Sequence, residues 1–184
     1  MSADKPSTGE LPRPDDEGAA AHLPGRQVPA IALPSTTGNA IALAELSGRT
    51  VVFVYPDIGG PGEELLEDWT ALPGARGCTP EACGFRDLLG TFGDRDVRVL
   101  GLSSQALSEQ VEAVEHLGLP YPMLSDEQFE LTQALTLPTF EFHGANYLRR
   151  VTLVIAEGKV EAALYPVFPP DEGAEQALAW LDRT

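Results

Sequence analysis

Two cysteines stand five positions apart in the chain, at Cys78 and Cys83. Cys78 follows Gly77 and precedes Thr79 and Pro80, an order typical of a helix start, because proline in the first turn gives up an N–H that has no partner there. Unpaired N–H groups and the positive end of the helix dipole favour a thiolate at such a position. We therefore expect the Cys78 pKa to lie below the value of about 8.5 for a free thiol, and a thiolate attacks peroxides and disulfides.

Cys83 lies within the same predicted helix, which limits how the two thiols can react with each other. An i, i+5 pair on an intact α-helix has Cα atoms roughly 8 to 9 Å apart, whereas a disulfide needs less than about 7 Å. The first turns must therefore unwind if the two cysteines are to pair. Cys83 could equally be a small buried side chain. A zinc site is disfavoured, because C-x4-C lacks a second pair of ligands and the three histidines are scattered.

The elements that position these cysteines follow from the hydrophobic pattern. Residues 50–55 are apolar and β-rich, which is typical of a strand buried on both faces, and residues 79–92 carry a helical stripe. The order of elements predicts an α/β sandwich, a central mixed sheet with helices on both faces, preceded by a β-hairpin. The remaining predicted elements are the hairpin at 30–33 and 40–43, strands at 97–102, 149–155 and 159–165, and helices at 107–117, 125–135 (with Ser125 and Gln128 as a capping box) and 171–181.

Two segments depart from this pattern. Residues 1–24 are polar, acidic and proline-rich, which predicts a disordered acidic tail ahead of one domain over residues 25–184. Residues 56–77 hold five glycines, three prolines and a group of acidic side chains, which predicts a long irregular insertion. Trp69 in this insertion is a candidate to shield a pocket, whereas Trp180 is expected in the core.

The chain is strongly acidic, and its charge excludes some classes of partner. Its 184 residues carry 28 Asp and Glu against 12 Lys and Arg, a net charge of -16. Such a field repels phosphates, so we expect no nucleic acid and no membrane among its partners. No apolar run approaches the roughly 18 residues that span a bilayer, and the first 25 residues do not look like a secretory signal. A cytoplasmic location is therefore expected.

The segment GCTPEACGFRD, residues 77–87, resembles the active-site segment of the Q-type, or bacterioferritin-comigratory, peroxiredoxins. It follows a buried strand that ends at Tyr55 and Pro56, as in that family, and the similarity extends in order from about residue 24 to 184. It includes residues 150–155, RVTLVI, which match a late Arg-x-Thr strand of the family. The resemblance implies a thioredoxin-like fold and a thiol peroxidase that needs no metal or organic cofactor.

The resemblance also implies roles for the two cysteines. Cys78 corresponds to the peroxidatic cysteine, which attacks hydrogen peroxide or an alkyl hydroperoxide and becomes a sulfenic acid. Cys83 corresponds to a resolving cysteine five positions later, which condenses with it to an intramolecular disulfide. A thioredoxin-type dithiol would restore both thiols. We expect a monomer or a weak homodimer.

Two charged residues are candidates to support Cys78. Successive side chains of a strand face opposite sides, so only one of Arg149 and Arg150 can reach the site, and the resemblance selects Arg150. A guanidinium there would hold the thiolate and stabilise charge on the departing oxygen, although a surface arginine is the alternative. Glu81 could orient that arginine, or it could be a plain acidic residue of the first helical turn.

The sequence departs from the family pattern Pro-x-x-x-Thr-x-x-Cys in two ways. The threonine position is Ala75, and Pro56 lies 22 residues ahead of Cys78. The insertion thus replaces part of the usual pocket wall, and in this the chain resembles a subgroup with a comparable insertion. Thr70 and Thr79 are the candidates to replace the missing hydroxyl.

Other residues and other functions receive less support. Arg86 and Asp87 are expected to form a structural ion pair, and none of His22, His116 and His143 is assigned as a general base. A thiol-disulfide reductase of the same fold normally uses C-x-x-C, which is absent. The non-enzymatic alternative is a redox-sensing or partner-binding module that the same disulfide would switch.

Overall fold

The structure, a computed structural model, describes residues 11–184. Strands and helices alternate through the middle of this part of the chain, as the sequence predicts. The strands are β1 (Ala32–Pro34), β2 (Ala40–Ala42), β3 (Arg49–Val54), β4 (Val97–Ser103), β5 (Met123–Ser125), β6 (Thr139–Phe142), β7 (Ala145–Leu148), β8 (Val151–Ala156) and β9 (Lys159–Leu164). The α-helices are α1 (Glu67–Ala71), α2 (Cys78–Asp87), α3 (Leu89–Gly93), α4 (Leu107–Leu117), α5 (Glu130–Leu135) and α6 (Gly173–Leu181).

The central sheet has five strands in the order β5-β4-β3-β8-β9. β3 pairs in parallel with β4 and antiparallel with β8, so the sheet is mixed. The last five residues of β3 are all buried, because this strand has neighbours on both edges and packing on both faces. The predicted central strand and mixed sheet are confirmed.

Side chains of β3 alternate between two apolar clusters, one on each face of the sheet. Phe53 points into the first cluster, where its ring stacks on Phe85 of α2 with centroids 4.6 Å apart. Val52 points into the second cluster together with Leu131 of α5. Leu178 of α6 joins the first cluster. Helices therefore cover both faces, as predicted.

The predicted N-terminal hairpin is also present. β1 and β2 pair antiparallel with Leu33 opposite Ile41. Gly38 in the turn has a φ of 87°, a conformation that glycine adopts without the strain of a side chain. Ser35 forms an isolated bridge to Leu124 of β5, so the hairpin lies at that edge of the sheet.

The helix predicted over residues 79–92 is in fact two helices. Leu88, with φ −103° and ψ 8°, separates α2 from α3. The spacing of the apolar residues gives no sign of this break between the helices, because Phe85 and Phe92 still pack together with ring centroids 5.7 Å apart. Periodicity reports which side chains share a face, and a short change of backbone direction leaves that unchanged.

The predicted capping box at Ser125 and Gln128 is wrong. Ser125 ends β5, and its hydroxyl donates to the carbonyl of Gln105 at 2.5 Å. Helix α5 begins five residues later, and the carboxylate of Asp126 accepts the backbone N–H groups of Leu131 at 3.1 Å and Thr132 at 2.8 Å. Asp126, and not Ser125, therefore satisfies the start of this helix.

A second hairpin, β6–β7, was not predicted, and it changes the start of the following strand. β8 begins at Val151, so Arg149 and Arg150 precede the strand instead of lying in it. The hairpin packs on Trp69 of the insertion, whose ring centroid lies 5.1 Å from that of Phe142 and 4.9 Å from that of Tyr147. Trp69 thus attaches the insertion, including its short helix α1, to this hairpin.

The first and last segments of the described residues pack in different ways. Residues 1–10 of the predicted tail lie outside the described residues. In the remainder of that segment Ala20 and Leu23 are buried in the second cluster, so these two side chains belong to the core. Trp180 of α6 is half-buried at the border of the first cluster, with the Arg49 guanidinium 5.8 Å from its ring. Among residues 11–184 the structure contains no helix that could cross a membrane.

Candidate active site

Cys78 is the first residue of α2, and Gly77 makes this placement possible. Gly77 has a φ of 112°, and a Cβ built on it would lie 2.6 Å from Cγ of Pro170. Both the backbone conformation and the contact therefore require glycine. The segment packs tightly against Pro170, and Cys78 is only 3% exposed.

Three groups surround the Cys78 sulfur. The Arg150 side chain donates a hydrogen bond from Nη2 to Sγ at 3.3 Å. The backbone of Asp57, just after β3, also hydrogen-bonds to the thiol and favours its ionised form. Sγ lies 3.7 Å from the carbonyl oxygen of Ala75 in the insertion. The sulfur therefore sits where the ends of β3, the insertion and the segment before β8 meet.

Arg150 is held on both sides of its guanidinium. It is 3% exposed, and Nη1 pairs with Oε2 of Glu81 in a short, buried ion pair. Nη2 faces the carbonyl oxygens of Gly74, Ala75 and Arg76 at 3.3, 3.4 and 3.3 Å. The insertion thus contributes backbone carbonyls that fix the guanidinium beside Cys78.

Arg149 points elsewhere. It is half-buried, and its Nε donates to the carbonyl oxygen of Thr139 in β6 at 3.0 Å. The structure therefore brings Arg150, and not Arg149, to Cys78. Glu81 joins them because it lies three residues after Cys78, on the same side of the first turn of α2.

Glu81 is buried, with 1% of its surface exposed, so it is not a plain solvent-facing acid of the first turn. Its Oε1 has no hydrogen-bond partner among the described residues and lies beside Gly173, where a Cβ would be 3.3 Å away. Burial raises the pKa of Glu81 to about 7, and the Arg150 guanidinium opposes this rise. A buried carboxyl with one unpartnered oxygen is costly to ionise.

The pKa of the Cys78 thiol is raised, in contrast to the lowering expected from a helix start. Burial is the main cause, and the guanidinium of Arg150 opposes it while Glu81 adds to it. The Arg150 guanidinium therefore interacts with two buried acids, Cys78 and Glu81, so the protonation of one affects the pKa of the other. When Glu81 is protonated, the charge of Arg150 acts on Cys78 alone and favours the thiolate.

The raised pKa of Glu81 predicts how stability depends on pH. Folded Glu81 keeps its proton to about pH 7, whereas unfolded Glu81 loses it near 4.5, so its contribution is full below pH 4.5 and is lost as pH rises through 7. In a Cys78→Ser background, which removes the thiol titration, adding Glu81→Gln should flatten this loss. We compare the free energy of unfolding of Cys78→Ser with that of Cys78→Ser/Glu81→Gln. The first minus the second should fall by about 1 to 3 kcal/mol between pH 5 and 8.

Urea denaturation of the two variants across this range makes the comparison directly. A difference in the free energy of unfolding that stays constant with pH would show that the pKa of Glu81 lies at its ordinary value. A difference that grows with pH would show that the ion pair with Arg150 outweighs burial.

The hydroxyls of Thr70 and Thr79 are the two predicted replacements for the missing threonine. Thr79 is exposed beside Cys78, and Thr70 lies on the insertion. Within the described part of the chain, neither is among the hydrogen-bond partners of the Cys78 sulfur. Ala75 itself is buried, and its carbonyl, not a side chain, faces the site.

Cys83 lies in α2 with its thiol free and half-buried. Both cysteines are therefore in one intact helix, where they are too far apart to bond. The carbonyl between them, that of Ala82, accepts a hydrogen bond from the Tyr121 hydroxyl at 2.6 Å. Arg86 Nη1 donates to the carbonyl of Leu117 at 2.6 Å and holds the far end of the helix.

The remaining candidate residues lie away from the sulfur. Arg86 and Asp87 form the expected ion pair at 2.9 Å. His22 contacts the carbonyls at the end of α5, and His143 pairs with Asp68 at 2.5 Å. His116 lies near the end of α4. Residues 11–184 contain no group of three or more His, Cys, Asp or Glu side chains that could hold a metal.

Comparison with known proteins identifies the family. The family model described as Redoxin matches residues 23–178. A Mycobacterium tuberculosis protein named as a peroxiredoxin is 32% identical over 149 residues, 78% of this chain and 85% of the relative. The chain belongs to the redoxin family, among the peroxiredoxins. Other relatives of this peroxiredoxin are named peroxiredoxin Q, which agrees with the resemblance in the sequence.

Solved structures show the same fold. The peroxidoxin BcpB of M. tuberculosis superposes with a TM-score of 0.70 at 29% identity, covering 88% of this chain and 97% of the other. The bacterioferritin comigratory protein of Xanthomonas campestris, whose structures concern alkyl peroxide reduction, superposes with a TM-score of 0.67 at 23% identity, covering 95% of this chain and 96% of the other. The thioredoxin-like fold is confirmed, and the homologous relatives support a thiol peroxidase function.

Proposed function

We propose that this peroxiredoxin reduces hydrogen peroxide and alkyl hydroperoxides, with Cys78 as the attacking group. The observation that carries the proposal is the contact between the Cys78 sulfur and the Arg150 guanidinium, 3.3 Å apart at the start of α2. The thiolate attacks the terminal oxygen of the hydroperoxide and the O–O bond breaks. Cys78 becomes a sulfenic acid, and the departing alkoxide or hydroxide takes up a proton to leave as alcohol or water.

Arg150 is suited to this step because its charge faces the reacting sulfur in a buried site. An immobile guanidinium stabilises the thiolate before attack and the negative charge on the departing oxygen during it. Glu81 and the three insertion carbonyls hold the guanidinium, so it needs no rearrangement as that charge develops. Glu81 acts through Arg150 and is therefore a positioning residue.

The second step requires the first turns of α2 to open. The Cys83 thiol condenses with the Cys78 sulfenic acid, so an S–S bond forms and water leaves. Tyr121 must release the carbonyl of Ala82 for this movement, because that carbonyl lies between the two cysteines. The aromatic stack of Phe85 on Phe53 lies just beyond Cys83 and provides a fixed point for the rest of the helix.

A dithiol reductant of the thioredoxin type completes the proposed cycle. Its two thiols give up two electrons and two protons, which regenerate the thiols of Cys78 and Cys83. The alkyl peroxide reduction activity of the X. campestris protein supports alkyl hydroperoxides as one substrate class. Repeated turnover of hydrogen peroxide with added thioredoxin tests the cycle. A single oxidation per chain would instead favour the redox-sensing alternative.

The Cys83→Ser variant should separate the two steps. We expect the first oxidation of Cys78 to keep its rate within about threefold, since Cys83 does not contact the sulfur. The sulfenic acid should then persist, and turnover with thioredoxin should fall by at least about tenfold. Trapping with dimedone, followed by mass spectrometry, measures the sulfenic acid directly.

The matched control is Ser104→Ala, which changes a hydroxyl outside α2. It should leave both steps unchanged. An intramolecular disulfide in Cys83→Ser is chemically excluded, so thioredoxin-linked turnover at the wild-type rate would show that Cys83 is not the resolving residue.

A further inference from the structure

Trp69 of α1 is buried among three aromatic rings of the β6–β7 hairpin. It is 6% exposed, and its ring centroid lies 5.7 Å from that of Phe140, 5.1 Å from that of Phe142 and 4.9 Å from that of Tyr147. Aromatic pairs at these distances attract each other beyond the effect of the area that they bury. The insertion is therefore attached to the hairpin at this side chain.

The neighbours of Trp69 make weaker contacts. Leu65 and Leu66, which precede α1, are 47% and 53% exposed. Asp68 pairs with His143 in the turn of the hairpin, but both side chains are more than half exposed, and such ion pairs contribute little to stability. The Trp69 ring is therefore the buried contact that fixes the insertion to the hairpin.

A short series of turns connects Trp69 to the carbonyls that hold Arg150. The Leu72 N–H donates to the carbonyl of Trp69 at 3.1 Å, and the Ala75 N–H donates to the carbonyl of Leu72 at 3.2 Å. The carbonyl of Ala75 in turn accepts a hydrogen bond from Nη2 of Arg150 at 3.4 Å and lies 3.7 Å from Sγ of Cys78. A displacement of Trp69 therefore reaches the active-site carbonyls through two turns of backbone.

The hairpin is connected to Arg150 from the other side. The Arg149 N–H donates to the carbonyl of Pro138 at 2.8 Å, and its Nε donates to the carbonyl of Thr139 at 3.0 Å. These bonds hold the base of the hairpin against the residue next to Arg150. The insertion thus carries the carbonyls and the hairpin leads into the guanidinium that binds them, while Trp69 packs one segment on the other.

We propose that Trp69 is a positioning residue, whose packing on the β6–β7 hairpin keeps the insertion carbonyls on Arg150 and thereby keeps the guanidinium on the Cys78 sulfur. The inference rests on the proposed peroxidase function and adds a residue that acts through Arg150. Without the ring the carbonyls move away, while Nη1 stays paired with Glu81. Nη2 can then turn from the sulfur, so the thiolate and the departing oxygen lose part of their stabilisation.

The variant Trp69→Leu tests this in a Cys83→Ser background, where Cys78 is the only thiol. Trp180→Leu is the matched control, because it makes the same change in α6. Timed trapping with dimedone, followed by mass spectrometry, gives the rate constant for oxidation of Cys78 by hydrogen peroxide. Trp69→Leu should lower this rate constant about tenfold or more, since small displacements of a positioned group have effects of this size, whereas Trp180→Leu should stay within about twofold. An unchanged rate constant in Trp69→Leu, or an equal loss in Trp180→Leu, would overturn the proposal.

Arg150→Met in the same background determines whether Trp69 acts through Arg150. Once the guanidinium is absent, adding Trp69→Leu should lower the oxidation rate by less than about twofold, because residues that act in one network do not contribute independently. A further loss of about tenfold would show that Trp69 acts by another route and would overturn the proposal.

Tyr147→Leu gives the answer if Trp69→Leu does not fold. It removes the ring that lies 4.9 Å from Trp69 and so weakens the same contact from the hairpin side. The oxidation rate should fall by a smaller factor than in Trp69→Leu, and Trp69→Phe, which keeps a ring in the contact, should retain most of the rate. No loss in Tyr147→Leu would contradict the proposal.

A measurement without peroxide separates failure of this inference from failure of the proposed function. The pH profile for alkylation of Cys78 by iodoacetamide reports the pKa of the thiol, and a change in access alone alters the rate without moving the midpoint. Arg150 favours the thiolate, so Trp69→Leu should move the midpoint to higher pH, whereas Trp180→Leu should leave it in place. If the Cys83→Ser protein is oxidised no faster than a free thiol, the proposed function fails, and the midpoint still decides whether Trp69 holds Arg150 on Cys78.

Discussion

Replacement of Cys78 by serine is expected to abolish peroxide reduction, lowering the rate on the order of 10⁴-fold or more. A serine hydroxyl ionises far less readily than a thiol and is a much weaker nucleophile, so Arg150 cannot activate it to the same degree. The side chain is nearly the same size, and it lies in a site that is 3% exposed in the present structure. We therefore expect the fold to be retained, with a change in stability of about 1 kcal/mol or less.

Steady-state turnover of hydrogen peroxide with thioredoxin measures this loss, and Cys83→Ser provides the comparison. Cys83→Ser should still undergo one rapid oxidation per chain, whereas Cys78→Ser should undergo none. Rapid oxidation of the Cys78→Ser variant would assign the attacking thiol to Cys83 and would remove the basis for the proposed mechanism.

Replacement of Arg150 by methionine should give the second large effect, on activity and on stability together. Loss of the guanidinium removes the charge that stabilises thiolate and departing oxygen, so the rate constant for oxidation should fall about 10²- to 10³-fold. The pKa of Cys78 should rise further, which moves the oxidation rate profile to higher pH. Glu81 would lose its cation and would therefore keep its proton to a higher pH, so the cost to stability should lie at or below about 3–5 kcal/mol, that of a broken buried ion pair.

The double variant Glu81→Gln/Arg150→Met distinguishes these two effects. It removes both buried charges, so we expect most of the lost stability to return while oxidation remains slow. Stopped-flow oxidation across pH and urea denaturation give the two measurements. Wild-type oxidation rates in the double variant would show that Arg150 serves only to neutralise Glu81.

The parts of the fold that could be predicted from the sequence are those with local signals. The apolar run of β3 and the glycine-led start of α2 identify a central strand and a cysteine at a helix start without any knowledge of distant contacts. The pairing of Cys78 with Arg150, 72 residues apart, came from the family resemblance, since no local pattern carries it. The prediction that Arg150 lies within a strand was wrong, yet its orientation toward the site was right.

The parts that could not be predicted depend on contacts between distant segments. The hydrogen bond from the Asp57 backbone to Cys78 uses no side chain, so the sequence holds no signal for it. The hydroxyl of Tyr121 reaches Ala82 across 39 residues. The raised pKa of Cys78 results from burial beneath the insertion and Pro170, whereas the helix start alone indicated a lowered one. The alternation of Thr139–Phe142 was a readable signal for the missed hairpin.

The most direct test of the mechanism mixes the reduced protein with one equivalent of hydrogen peroxide. Tryptophan fluorescence follows the reaction by stopped flow, and mass spectrometry identifies the product. We predict oxidation much faster than that of a free thiol, with loss of two hydrogens in a product that links Cys78 to Cys83. Oxidation no faster than that of a free thiol, or a product without this linkage, would contradict the proposed mechanism.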